Sequence, residues 1–260
     1  MSAATLPRAM SAEWIKLKSV RSTRWTIATM LTIGIGGTAL LAFAISSTWK
    51  TMAPQDKVGF NAVDASLQTM VFAQLVLVVL GVLAMTAEYS SGTIRATLAA
   101  VPRRITALGA KAIVFAAVAA IVSVVACFGA FFVAQPLLRT TGASTTIGAH
   151  GVIGSLLGAV TYLVLLGLIA LGIGAIVRST AAGISVGVGL VFILPLIANF
   201  LPGQWSSSVG KWLPMSLAGS LMQPVHDSNT LSTGMAAVMM AVYAAVALTV
   251  GGFLLVRRDA

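Results

Sequence analysis

The chain contains six stretches of about twenty mostly apolar residues, the length a helix needs to cross the hydrocarbon core of a bilayer. They run over Trp25–Ser46, Leu67–Ala87, Ala112–Ala134, Val152–Val177, Ala181–Leu201 and Gly234–Val256. Backbone groups in lipid have no water to bond, so each stretch must satisfy its own N–H and C=O groups as a helix. The predicted fold class is therefore all-α. It is a polytopic membrane protein with six transmembrane helices and a single domain over residues 1–260. Composition agrees, with 58% apolar and 8% charged residues, where a soluble protein carries about 25% charged.

Charge sets the orientation. The net charge is +10, a balance that can signal nucleic acid. Here the bases flank apolar stretches, where topology and anionic lipid account for them. The lipid bilayer, not nucleic acid, is the expected partner. Arg8, Lys16, Lys18, Arg21 and Arg24 lie in the amino-terminal tail, residues 1–24. Arg95, Arg103, Arg104 and Lys111 lie in the second connection, residues 88–111, with Arg178 in the fourth and Arg257 and Arg258 in the last tail. Lys50, Lys57, Arg139 and Lys211 fall on the other side. The positive-inside rule places both termini in the cytoplasm. Ala42-Phe43-Ala44 after a basic start looks like a signal-peptidase site, but the apolar run before it exceeds the usual ~7–15 residues. The first span is expected to be retained.

Two basic segments stand out beside the spans. Met10–Val20 reads as a helix, with Met10, Trp14 and Leu17 on one face and Lys16, Lys18 and Arg21 flanking it. Ser11 is placed to cap its start. Such a helix lies in the headgroup plane, either as a plain anchor or as an elbow that braces the bundle. The second segment is a polar island that begins Glu88-Tyr89-Ser90-Ser91-Gly92-Thr93-Ile94-Arg95. Ser90 or Ser91 can cap a short helix, with Ile94 and Leu98 on one face. Val101-Pro102 ends it, Arg103 and Arg104 meet headgroups, and Lys111 anchors the third span. The island is either a loop that only sets topology or a handle for a partner.

The island resembles the motif of the type-2 ABC exporter permeases: an acid, an aromatic, small residues, Gly-Thr-Ile/Leu-Arg, then Pro-x-Arg and Lys. Glu88, Tyr89, Gly92, Thr93, Ile94, Arg95, Pro102, Arg103/Arg104 and Lys111 carry the likeness. The segment from Glu13 to Thr23 is similar to the actinobacterial branch, except that Ala12 separates Ser11 from Glu13. The resemblance implies the bacterial plasma membrane and a permease that pairs with a second copy or a similar chain. It also implies two ABC ATPase subunits docked below, which would carry ATP and Mg; no cofactor is expected in this chain. The elbow helix would use Glu13, Trp14, Lys16, Leu17 and Arg21. The ATPase-coupling residues would be Glu88, Tyr89, Gly92, Thr93, Ile94, Arg95, Leu98, Arg103 and Arg104, with the coupling helix over Gly92–Ala100. Glu88 would be structural, pairing with a base or capping helix amides.

Other features bound the chemistry. Residues 202–233 are too polar for a span and too apolar for a plain loop. Trp205 and Trp212 suit the interface, and Leu213-Pro214 and Gln223-Pro224 bracket a short helix, Met215–Met222. The resemblance implies a re-entrant outer hairpin here; a surface helix is the alternative. No phosphate loop occurs, since Gly109-Ala110-Lys111 lacks the spacing and the hydroxyl. No catalytic residue and no metal site is predicted: His150 and His226 lie outside the spans, and Cys127 is the single cysteine. No span holds a charge near its centre, which argues against ion coupling. Gln74, Asn199 and Thr38 are candidates for a substrate path, although such residues commonly bond neighbouring helices. Gly154-x-x-x-Gly158 and Gly183-x-x-x-Gly187 permit close helix approach, and Pro195 is expected to kink the fifth span. The expected function is outward movement of an amphipathic or hydrophobic cargo (a drug, an antimicrobial peptide or a lipid). The alternatives are a secondary carrier outside the ABC class and a membrane scaffold or immunity protein.

Overall fold

The computed structural model describes residues 5–100, 103–200, 202, 208–223 and 231–258. Among them no strand occurs, and six helices are long and apolar enough to cross a membrane. Helix α1 is Thr5–Ser19. The first three spans are α2, Arg21–Thr51, α3, Ala62–Ser90, and, after the short α4, Ile94–Ala100, α5, Arg104–Thr141. Then come α6, Val152–Val177, α7, Thr180–Asn199, the short α8, Pro214–Met222, and α9, Thr233–Arg257.

Local chemistry fixes several boundaries that hydropathy misses. Helix α3 begins five residues before the apolar stretch because Asn61 caps it, its side-chain oxygen accepting from the Val63 amide at 2.9 Å. Ser232 does the same for α9 through the Met235 amide. Helix α5 starts at Arg104 rather than Ala112, and Ala107, Leu108 and Ala110 of its first turns are buried against the bundle. At 1.5 Å per residue its 38 residues span about 57 Å, far more than the ~30 Å hydrocarbon core. The surplus carries the polar connection away from the bilayer.

Helix α6 is the hub. It packs on α3, α5 and α9, and 67% of its most apolar window is buried, against 22% for α2 and for α7. A helix apolar all round suits such a central place. Close approach needs glycine: a Cβ on Gly81 of α3 would lie 2.5 Å from the Gly167 carbonyl of α6. Of the two Gly-x-x-x-Gly pairs, Gly183 and Gly187 both abut α3, at Val82 and Val78. Gly158 abuts the Leu221 carbonyl of α8, whereas Gly154 faces open space.

Two spans depart from regular helix. Helix α7 loosens into a π turn over Gly189–Ile193, immediately before Pro195. Proline supplies no N–H to close the ladder, and its ring crowds the preceding turn. Helix α2 has a π turn over Thr32–Gly36, whose Gly34 carbonyl accepts the Thr38 and Thr69 hydroxyls at 2.7 and 2.9 Å. The short helix α8, one residue longer than expected, packs on α6 and α9 through Leu217 and Leu221. The Trp212 carbonyl accepts the Tyr243 hydroxyl at 2.9 Å. Trp205, Pro224 and His226 lie outside the described residues.

Candidate functional site

The basic end of the bundle is built around a closed ring of four charges. Lys111 Nζ lies 2.6 Å from Glu13 Oε2 and 2.6 Å from Glu88 Oε1. Lys16 Nζ lies 2.8 Å from Glu88 Oε1 and 3.0 Å from Glu13 Oε1. Each acid meets both bases, so α1, the end of α3 and the start of α5 are tied together. Lys16 also donates to Thr97 Oγ1 of α4 at 3.3 Å, which brings a fourth element into the ring. The Lys111, Glu13 and Glu88 side chains are each 7% exposed. Burying such ions costs several kcal/mol apiece, and only close, balanced pairing offsets it.

Lys16 stays protonated. Half-burial weighs against its charge, but the hydrogen bonds and attraction of Glu88 and Glu13 outweigh it and lift its pKa above the ordinary lysine value.

The ring sets which face of the first helix meets the bundle. Ser11 is not a cap, because α1 starts earlier and its hydroxyl donates back to the Pro7 carbonyl at 3.0 Å. Glu13 is turned inward and buried, while Trp14, on the face read as apolar, is 43% exposed and Ile15 still more so. Leu17 is half-buried and Arg21 exposed. Glu13 turns in to pair with Lys111 and Lys16, which leaves Trp14 on the outer face, where its amphipathic ring suits a membrane interface.

The island forms α4 two residues later than expected. Ser90 and Ser91 do not cap it; both hydroxyls donate to the Ala87 carbonyl, at 3.1 and 2.8 Å. Gly92 makes the corner with φ of 71°, a left-handed conformation that glycine adopts without a Cβ penalty. Thr93 bonds the Ser91 hydroxyl at 2.8 Å. Ile94 then packs into the core at 6% exposure, whereas Arg95 is exposed. Helix α4 is thus seated through Ile94 and Thr97 and shows Arg95 outward. The Leu98 side chain lies outside the described residues, as does Pro102.

A second tier of arginines holds the end of α9. Arg104 donates to the Leu255 carbonyl at 2.7 Å and Arg178 to the Leu254 carbonyl at 3.2 Å. The last carbonyls of a helix lack intrahelical partners and carry its negative dipole end, so guanidinium groups suit them. Arg104 therefore turns to the bundle, not to headgroups; Arg103 is the extended residue that starts α5. Tyr89 lies with its ring 5.1 Å from the Arg178 guanidinium.

The candidate path residues sit elsewhere. Gln74 is buried; its Oε1 accepts the Tyr162 hydroxyl at 2.6 Å, and its amide donates to the Val71 carbonyl at 2.9 Å. Both residues border a cavity of ≈ 680 Å³ at the opposite end, with Asp56, Asn61 and Asp64. Thr38 is buried on Gly34, Ser66 and Thr69. Asn199 is exposed at the end of α7.

The sequence does not reveal four of these roles: Lys111 reads as a motif residue and span anchor, Arg104 as a coupling residue at the headgroups, Arg178 as a topology signal, and Thr97 does not stand out. One signal was present for the ring, since Glu13 and Glu88 are the chain's only glutamates and both sit among the bases of one side. A model of the family described as ABC-2 family transporter protein matches residues 9–196, from the first helix through α7. No curated protein matches the chain.

Proposed function

Because this chain belongs to the ABC-2 family of transporter proteins, we propose that it is the permease subunit of an exporter driven by a separate ATPase. Two ABC ATPase subunits, holding ATP and Mg, dock at the basic end in the cytoplasm of a bacterium. A second permease, either a copy of this chain or a similar one, completes the channel. The cargo is amphipathic or hydrophobic and moves outward.

The observation that carries this reading is the seating of α4. A two-turn helix that exposes Arg95 is fixed to the core by Ile94 and to three other elements through Thr97 and the charge ring. A push on α4 is therefore felt at α1, α3 and α5 together. Tyr89, Gly92, Thr93, Arg103 and Arg104 shape the surround, and Leu98 extends the same helix. At the opposite end, the cavity bordered by Gln74, Asn61 and Asp64 offers a mixed apolar and polar surface that suits release of such a cargo. Thr38 supports its walls, and Asn199 lies on the lipid-facing fifth span.

The test uses an ABC ATPase that co-purifies with this chain. The pair is purified, reconstituted in vesicles and supplied with a fluorescent amphipathic dye. Transport is expected only with ATP, and Arg95→Glu is expected to lower both co-purification and transport at least tenfold. Dye movement with no ATPase present, or an ATPase that binds Arg95→Glu undiminished, would refute the reading.

A further inference from the structure

The crook between α1 and α2 forms a second, unassigned site. Helix α1 ends at Ser19, the single residue Val20 is extended, and α2 begins at Arg21. This sharp turn leaves a groove of ≈ 750 Å³ between α1, α2 and α5. Its walls are apolar, from Trp14, Ile15, Ile27 and Val118, and two bases, Lys18 and Arg24, stand on it. Among the described residues no carboxylate lines it; the nearby Glu13 is turned away into the charge ring.

Three facts say what charge belongs there. Lys18 and Arg24 are exposed and form no ion pair among the described residues. The first turn of α2 has no acidic residue, and Val20 provides no side-chain cap. The positive end of that helix is therefore left with added positive charge instead of a compensating acid. An anion satisfies the bases and the free amides together. The apolar walls beside them require a chain of hydrocarbon on the same molecule.

We propose that this crook binds an anionic phospholipid. Its acyl chains lie against Trp14, Ile15, Ile27 and Val118, and its phosphate sits between Lys18 and Arg24. The inner face of α1 is then held by ion pairs and its outer face by lipid. This inference rests on membrane embedding and not on the transport reading, so neither fails with the other.

The full chain is placed in phosphatidylcholine vesicles containing phosphatidylglycerol with brominated acyl chains, which quench tryptophan on contact. Trp14 is the reporter, identified by the quenching lost in Trp14→Phe. With about 1 kcal/mol for each of the two bases at the surface, half-quenching is expected at a phosphatidylglycerol fraction roughly thirty-fold below that for brominated phosphatidylcholine. Lys18→Gln with Arg24→Gln is expected to abolish that preference, while Lys18→Arg with Arg24→Lys preserves it. Equal quenching by the two lipids in the natural chain overturns the proposal, as does a preference that survives in the double Gln variant.

Discussion

At the scale of single residues, the four charges differ in what their loss costs. Lys111 is 7% exposed and bridges both glutamates, whereas Lys16 is 39% exposed. Removing one partner of a buried ion pair leaves an uncompensated charge and costs about 3–5 kcal/mol. Lys111→Met is therefore expected to lower the detergent-solubilised melting temperature much more than Lys16→Met, whose loss water partly screens. Similar drops for both variants would mean that the ring is open to solvent. The pH dependence has a definite sign. A lysine with a raised folded pKa contributes fully below its ordinary value, and the contribution is lost as pH rises through the raised one. Lys16 titration is thus expected to leave stability unchanged around neutral pH, and its loss on the alkaline side is expected to disappear in Lys16→Met. The two glutamates were legible in the sequence as rare acids. Their shared partners were not, because Glu13 and Lys111 are 98 positions apart.

At the scale of elements, turns and close approaches decide how helices meet. The space around a Cβ at Gly92 is empty, yet its φ is 71°. Gly92→Ala should therefore cost about 1–2 kcal/mol through the backbone alone, while Gly92→Asn costs less. Equal melting temperatures for Ala and Gly would show that the corner has another conformation. Gly158 poses the opposite problem, since its Cβ would collide with the Leu221 carbonyl of α8. Gly158→Leu is expected to detach α8 and lower the melting temperature sharply, whereas Gly154→Leu, in open space, leaves it unchanged. The spacing Gly154-x-x-x-Gly158 looks identical at both ends in sequence. Only the position of α8 distinguishes them. Likewise, the apolar stripe on α1 was readable, but which face turned inward depended on charges from α3 and α5.

At the scale of the whole molecule, six apolar helices and the bias of the bases predict both termini in the cytoplasm. An alkaline phosphatase fused after Arg258 is expected to be inactive and a fluorescent protein at the same place bright; the reverse result would invert the orientation. Cys127 is fully buried in the core, so maleimide is expected to label it only after denaturation. Rapid labelling of the native protein would contradict the packing of α5. The sequence alone determined the all-helical class, the number of spans, the basic side and the island that carries α4. These follow from local quantities: the hydrophobicity of a window and the sign of charge beside a span. Tertiary structure decided the pairing of Glu13 and Glu88 with Lys16 and Lys111, the capping of α9 by Arg104 and Arg178, and the groove at Lys18 and Arg24. Those depend on which helix faces meet, and an apolar helix in lipid has no solvent-facing side to mark its orientation. Burial of a few charges and fits around glycine settle that orientation, and both arise only when distant segments come together.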